Sequence, residues 1–342
     1  MALFLVLFVA FLTLYPRDEA LVVRGGEEVG GIVPVLTISG PGRGERPEFA
    51  RPMGGTVDDA GRIYVADTGN NRVVVFDSDG RYLFEFGGFG IAKPLPGYES
   101  TWEEGLMNYP LGIDVDADGT IYVADFRNDQ VQVFDSEGTF VRRFPDPATV
   151  VGRGASGQDG FGIAVTDVAV DGDLVYAADT YQVVVFTAEG EFVRQFGRPG
   201  TGPGEFNHIT GIDVLGSGRI IVADSNNHRV QVLSALGEHL WSIGKVPGTS
   251  DDEARAAGAR EPYEFGLPRS VAVTEDGTIA VLDTFNFSIA LFTPDGRLKG
   301  TYGERGTTPG QMNFANSIEA AGERLLVSDK ENGRVQLLEV VR

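Results

Sequence analysis

The chain has 342 residues, 47 of them glycine and none cysteine, so it can build neither a disulfide framework nor a thiolate metal site and must draw its stability from burial. Its formal charge is −21, and only 4 of its 28 basic residues are lysine. That balance argues against nucleic acid, whose phosphates are held by clustered Lys and Arg, and leaves cations, basic peptides or proteins as partners.

In chain order the first element is MALFLVLFVAFLTLY, without a charge and followed directly by Pro16, Arg17, Asp18 and Glu19. As a helix of about 15 residues it reaches roughly 22 Å, short of a bilayer core of roughly 30 Å. A secretory apolar region fits that length, although no Lys or Arg precedes it and no A-x-A site follows. An uncleaved membrane anchor is a second reading. A buried globular helix is a third, ill suited to a segment apolar on every side. The first two place the protein outside the cytoplasm, secreted or anchored, and the balanced charges behind the segment leave its orientation open. Residues 1–15 are thus a signal or anchor, 16–32, rich in Gly and Glu, a linker, and 33–342 one domain.

Pro34-Val35-Leu36-Thr37-Ile38-Ser39-Gly40 reads as a lone strand. Six segments then share one pattern: IYVADTGNNRVVVF (Asp67), IYVADFRNDQVQVF (Asp125), VYAADTYQVVVF (Asp179), IIVADSNNHRVQVL (Asp224), IAVLDTFNFSIALF (Asp283) and LLVSDKENGRVQLL (Asp329), with aspartates roughly 45 to 59 residues apart. Most run on into a DSDG- or DSEG-like turn and a further alternating run ending in Gly, such as RYLFEFG. Asp-Gly and Glu-Gly suit tight hairpins, so each unit holds four short strands. The expected fold is all-β, a six-bladed β-propeller of four-stranded antiparallel blades. The last copy stops after its third strand. The strand at residues 33–39 is predicted to complete that blade beside Val335 to Leu338 and so hide two strand edges.

The repeat resembles the NHL-repeat family over about residues 33 to 342. Its hallmark is a small residue and Asp, a short polar stretch with Asn and often His-Arg, then V-x-V-F; Asp224-Ser-Asn-Asn-His228-Arg229-Val230-Gln231-Val232 matches it almost residue for residue. The third copy lacks two loop residues, and the fifth has Phe287-Ser288 where His-Arg is usual. Peptidyl-hydroxyglycine lyases, related propellers, hold zinc with three histidines from different blades. His208, His228 and His239, the three present here, cannot reproduce that arrangement.

In this strand order the connections between blades and between second and third strands share one face. Two inter-blade loops, Gly87 to Pro110 and Gly244 to Pro268, have about 25 residues against about 13 in three others, and Pro145 to Ile163 is intermediate. Extra loop length is usually functional or disordered, which marks this as the working face. Its predicted binding residues are Tyr98, Trp102, Glu103, Glu104 and Tyr109 from the first loop, and Asp251, Asp252, Glu253, Arg255, Arg260 and Tyr263 from the second; the plain alternative is a solvated lid.

Asp114, Asp116, Asp118, Gly119 and Asp125 meet the spacing of an EF-hand loop but for its final Glu. Flanking helices are absent, and the stretch reads better as a hairpin with its next strand, so calcium is weakly supported and no cofactor or metal site is expected. The repeated aspartates read as anchors for loop N–H groups, several with an Arg five positions on (Arg72, Arg229, Arg334). Met53, Leu111, Thr166, Thr210, Arg269 and Asn316 start the innermost strands at the channel mouth. Asp167 stands there where other blades have a small residue. Asp167 and Arg269 either orient an ionic ligand, pair with each other or sit solvated at the rim. His208 and His228 share a blade and can approach each other.

Two functions follow. One is a non-catalytic protein-binding or scaffold propeller, extracytoplasmic, that presents its long-loop face to a partner protein or is tethered within a membrane complex. The other is a metal-assisted lyase or hydrolase at the channel mouth, with His208 as base, Asp167 as metal ligand and Arg269 as anion clamp. A sensor or ligand-binding domain is a third, lesser reading.

Overall fold

The computed structural model describes residues 22–28, 30–41, 48–92, 99–145, 164–215 and 218–341. Residues 1–15 and Tyr98 lie outside these, as does most of the Pro145 to Ile163 connection. No described helix is long and apolar enough to cross a membrane.

Six antiparallel blades form a closed ring. The chain enters with β1 (Val22–Arg24) and β2 (Ile32–Ile38). Blade 1 is β3 (Gly54–Val57), β4 (Ile63–Asp67), β5 (Arg72–Phe76) and β6 (Tyr82–Gly87); blade 2 is β7 (Pro110–Val115), β8 (Ile121–Asp125), β9 (Gln130–Phe134) and β10 (Phe140–Phe144). Blade 3 is β11 (Val165–Asp171), β12 (Leu174–Asp179), β13 (Val183–Thr187) and β14 (Phe192–Phe196). Blade 4 is β15 (Ile209–Leu215), β16 (Arg219–Asp224), β17 (Arg229–Leu233) and β18 (His239–Gly244), followed by the helix α1 (Asp251–Ala256) and β19 (Ala259–Glu261). Blade 5 is β20 (Pro268–Val273), β21 (Ile279–Asp283), β22 (Ser288–Phe292) and β23 (Leu298–Tyr302), and blade 6 starts with β24 (Ser317–Ala321), β25 (Arg324–Asp329) and β26 (Arg334–Val340).

The second and third strands are buried on both faces, which is why IYVAD and RVVVF read as unbroken apolar runs; the outermost β6 alternates because one of its faces meets water. The core accordingly lies between blades. Tyr64, Ala66, Val73 and Val75 of blade 1, for instance, pack on Ile113, Ile121, Val123 and Phe134 of blade 2. Six such clusters fill the six gaps.

The predicted closure is present. β2 pairs antiparallel with β26, Ile38 opposite Val335 and Ile32 opposite Val340, and buries Leu36 and Ile38 in the gap between blades 6 and 1. The linker expectation for 16–32 needs correcting, because Val22–Arg24 forms a fifth strand along β2.

Both long loops correct the sequence reading too. The Gly244 to Pro268 loop does not rise from the face but folds down the outer wall, where β19 runs parallel to β18 and covers its edge. Arg260 stacks 4.4 Å over Trp241 and donates to the Asp295 carbonyl at 3.2 Å, and Tyr263 packs on Phe265 and Phe292. In the other loop Trp102 turns onto the outer strand β10, 5.9 Å from Phe140, with Arg143 stacked 3.7 Å above its ring. Apolar side chains in the described parts of both loops find cover in the clefts between blade edges, so these parts clad the wall.

Candidate functional site: the channel mouth and its collar

Where β4 ends, Asp67 takes Ala50 N–H at 2.7 Å, Asn70 Nδ2 at 2.7 Å and Arg72 Nε at 2.8 Å. Asp224 and Asp329 repeat this with Asn207, Asn227 and Arg229, and with Asn313, Asn332 and Arg334. Asp125 uses Gln130 in place of the arginine, and Asp283 takes Gly266 and Leu267 N–H. The anchoring role read from the sequence is therefore present, and each anchor fixes the last residues of the incoming loop just before they enter the innermost strand.

Those residues form a collar. Arg51, Tyr109, His208 and Phe314 occupy equivalent places in the repeat, Arg51 and Phe314 three residues ahead of the innermost strand and Tyr109 and His208 directly before it, each with left-handed backbone at φ between 50° and 66°. Glycine or Asn suits such a conformation best, so bulky side chains there are held against a local cost. Tyr109 stacks under Arg127 at 4.5 Å. Phe314 packs on Phe287, itself left-handed, and on Phe285, which is 56% exposed, and Arg305 lies 5.1 Å over Phe287.

Inside the collar a polar girdle runs across four blades. Thr210 Oγ1 donates to the Arg269 carbonyl at 2.7 Å, Arg269 Nε to Asn316 Oδ1 at 3.0 Å, and Asn316 Nδ2 to the Met53 carbonyl at 2.8 Å. Thr210 also meets Ser225 Oγ, and Thr166 bonds the Ala178 carbonyl within its own blade. Burial lowers the Arg269 pKa; burial and then the Arg269 charge lower that of His208, which is neutral near pH 7.

Below the mouth the channel is acidic. Asp114 on β7, Asp213 on β15 and Glu319 on β24 occupy one tier on alternate blades, with Thr56, Ala169 and Ala272 between them, and Asp167 on β11 lies one tier up. The three aspartates tie blade to blade, while Glu319 accepts the N–H of Ala320 on its own strand. Asp114 accepts Val170 N–H at 2.7 Å, Asp167 accepts Ile212 N–H at 3.0 Å, and Asp213 accepts Val273 N–H at 2.7 Å. A Cβ at Gly112 would collide with the Asp167 carboxylate, which is why glycine stands there. Burial first, then mutual repulsion, pushes Asp114 up to about 6, Asp167 and Asp213 up to about 7, and Glu319 well above the ordinary range. The void at the mouth, lined by Asp167, Glu319, Thr166, Thr210 and Asn316, is ≈ 20 Å³, room for about one water.

Asp167 and Arg269 therefore do not pair, since each has other partners. His228 Nδ1 bonds the Phe265 carbonyl at 2.9 Å and His239 Nε2 bonds Ser242 at 2.8 Å. Among the described residues no group of His, Asp or Glu could hold a metal. The EF-hand spacing dissolves as well: Asp114 faces the channel, Asp116 caps its hairpin through Asp118 and Thr120 N–H, and Asp125 anchors a loop. Of the predicted binding residues, Tyr109 reaches the mouth, Glu103 and Glu104 are exposed on the wall-cladding loop, and Asp251, Asp252, Glu253 and Arg255 are exposed on α1. Phe285, Phe314, Arg51 and Arg127 were missed; the unusual Phe287 of the fifth copy was the sequence signal beside them.

Repeat, blades and closure define a six-bladed β-propeller of the NHL kind. The NHL repeat family matches residues 49–76, 107–134 and 206–233, so blades 1, 2 and 4 carry NHL repeats. Protein brain tumor of Drosophila melanogaster is 31% identical over 165 residues, 48% of this chain and 14% of that protein. Human E3 ubiquitin-protein ligase TRIM32 is 29% identical over 152 residues, 44% of this chain and 22% of that protein. The chain thus spans less than a quarter of these relatives' length. Virginiamycin B lyase from Staphylococcus aureus shares the fold, with a TM-score of 0.55 over 96% of both chains at 13% identity.

Proposed function

We propose that this protein is a non-catalytic binding propeller that presents the channel-mouth face to a protein partner and is held outside the cytoplasmic membrane, within a membrane complex, through residues 1–15. The observation that carries the reading is the collar: four bulky side chains held in left-handed backbone around the mouth, flanked by the exposed Phe285. Aromatic and arginine side chains on a rigid frame are what protein contacts favour. Tethering is supported by the uncharged first 15 residues. The lyase or hydrolase alternative asks Asp167 to ligate a metal, but two backbone N–H groups already occupy its oxygens. An NHL ubiquitin ligase relative and a lyase of like fold also show that the propeller alone does not dictate chemistry.

A photocrosslinking residue placed at Phe285 in native cells should capture a discrete protein. The same group at Leu236, 70% exposed on a hairpin of the opposite face, should not. Equal labelling from both positions, or none from Phe285, would reject the reading.

A further inference from the structure

The channel mouth contains a cation with no counter-ion. Among the described residues Arg269 meets no carboxylate, and its one side-chain bond is Nε to Asn316 Oδ1. Asn316 is in turn fixed by the Met53 carbonyl and the Arg269 backbone by Thr210, so the guanidinium is oriented before anything binds, with its two terminal NH₂ groups left for a ligand. A half-buried charge that is desolvated and unpaired costs stability unless something else completes it. The channel acids do not: Asp114, Asp167 and Asp213 accept backbone N–H groups of the next blade, Glu319 accepts the N–H of Ala320, and none of the four forms an ion pair with Arg269. Of the two arginines at the mouth, Arg51 has Glu331 at 3.7 Å, whereas Arg269 has no carboxylate partner among the described residues, in a chain of net charge −21.

We propose that the partner inserts an acidic side chain into the channel mouth, where the Arg269 guanidinium receives it, while apolar residues flanking that acid rest on Phe285, Phe287 and Phe314. The geometry favours an inserted side chain over a chain lying across the face, because the collar would hold a crossing chain away from Arg269. Entry stops at Arg269, for the space beneath is ≈ 20 Å³, room for about one water, and is lined by Asp167 and Glu319. Neutral His208 and the phenol of Tyr109, close enough to act on the Arg269 charge, complete the polar surround. This inference rests on the loop-face reading and names the chemistry of the partner.

The test uses the full chain and a fluorescein-labelled peptide, Ala-Leu-Glu-Phe-Ala with a C-terminal amide, followed by fluorescence anisotropy. The Glu peptide should bind about tenfold more tightly than its Gln counterpart, as charge-assisted bidentate bonding implies. That preference should vanish in R269Q and survive in part in R269K. A third peptide, with Gln and a free C-terminal carboxylate, should bind like the Gln amide; binding like the Glu amide would overturn the side-chain assignment in favour of a chain terminus. Equal affinity of the Glu and Gln amides for the wild type, no binding of either at millimolar concentration, or a Glu preference intact in R269Q each overturns the proposal. Should R269Q fail to fold, Phe285→Ser, an exposed site, must weaken the Glu peptide several-fold or the apolar half of the proposal falls. Successful crosslinking at Phe285 alongside a failed Glu preference would remove this inference and leave the loop-face reading standing.

Discussion

Asp224 collects Asn207 N–H, Asn227, Arg229 and Gln231 on one carboxylate with no exposure to solvent. That convergence explains the repeat's spelling, since Asn three positions on and Arg five positions on are the donors that reach the aspartate across a single tight turn. Burial raises the pKa of Asp224, yet the surrounding donors hold the ion in place. Removing it leaves the buried Arg229 charge with only the Gly202 and Glu205 carbonyls and orphans the Asn207 N–H. Asp224→Ala should therefore cost about 3–5 kcal/mol in denaturant unfolding, the loss seen when one partner of a buried pair is deleted. A loss under about 1 kcal/mol would mean that the network is redundant. The anchors were legible from residue spacing. The identity of the mouth was not, because Arg269 and Asn316 come from different blades and meet only through the ring.

At the scale of elements the decisive piece is β2. It supplies the fourth strand of blade 6, places Leu36 and Ile38 in the core shared with blade 1, and covers an otherwise open edge of β26. Cutting the chain after Ile38 should abolish the single cooperative melting transition and promote association through the bared edge, read by calorimetry and light scattering. A truncated chain that melts as the intact one does would refute the closing role. This strand was readable because a missing fourth strand at one end and a spare strand at the other leave one solution. The long loops were misread for an equally physical reason: length says that extra chain exists, but the clefts between outer strands decide where its aromatic residues go. Trp102 and Tyr263 went to the wall, and α1 is held at its start by a Ser250–Glu253 capping box.

Across the whole molecule the channel acids set the response to pH. Asp114, Asp167, Asp213 and Glu319 face one another and, at the edges, Asp116 and Asp171; burial and repulsion raise their folded-state pKa values above those of the unfolded chain. The folded state then binds more protons than the unfolded state between about pH 4 and 7, so stability grows as pH falls through that window and is lost as pH rises through the folded values. The loop anchors Asp67, Asp125, Asp224 and Asp329 are shifted in the same sense. The melting midpoint should accordingly be higher near pH 5.5 than near pH 8, a trend that Asp167→Asn should flatten while raising the midpoint at the upper pH. A midpoint that climbs steadily from about pH 5 to 8 would contradict this account of the channel.

The sequence by itself determined the strands, the number of blades, the closing partner and the aspartate anchors, because each depends on alternation, turn residues or spacing within one repeat. Only the tertiary structure decided where the described loop side chains go, that acids on alternate blades share one tier, and that an arginine with no carboxylate partner among the described residues stands at the mouth. Those juxtapositions join residues tens to hundreds of positions apart, and no local pattern records them until the ring is closed.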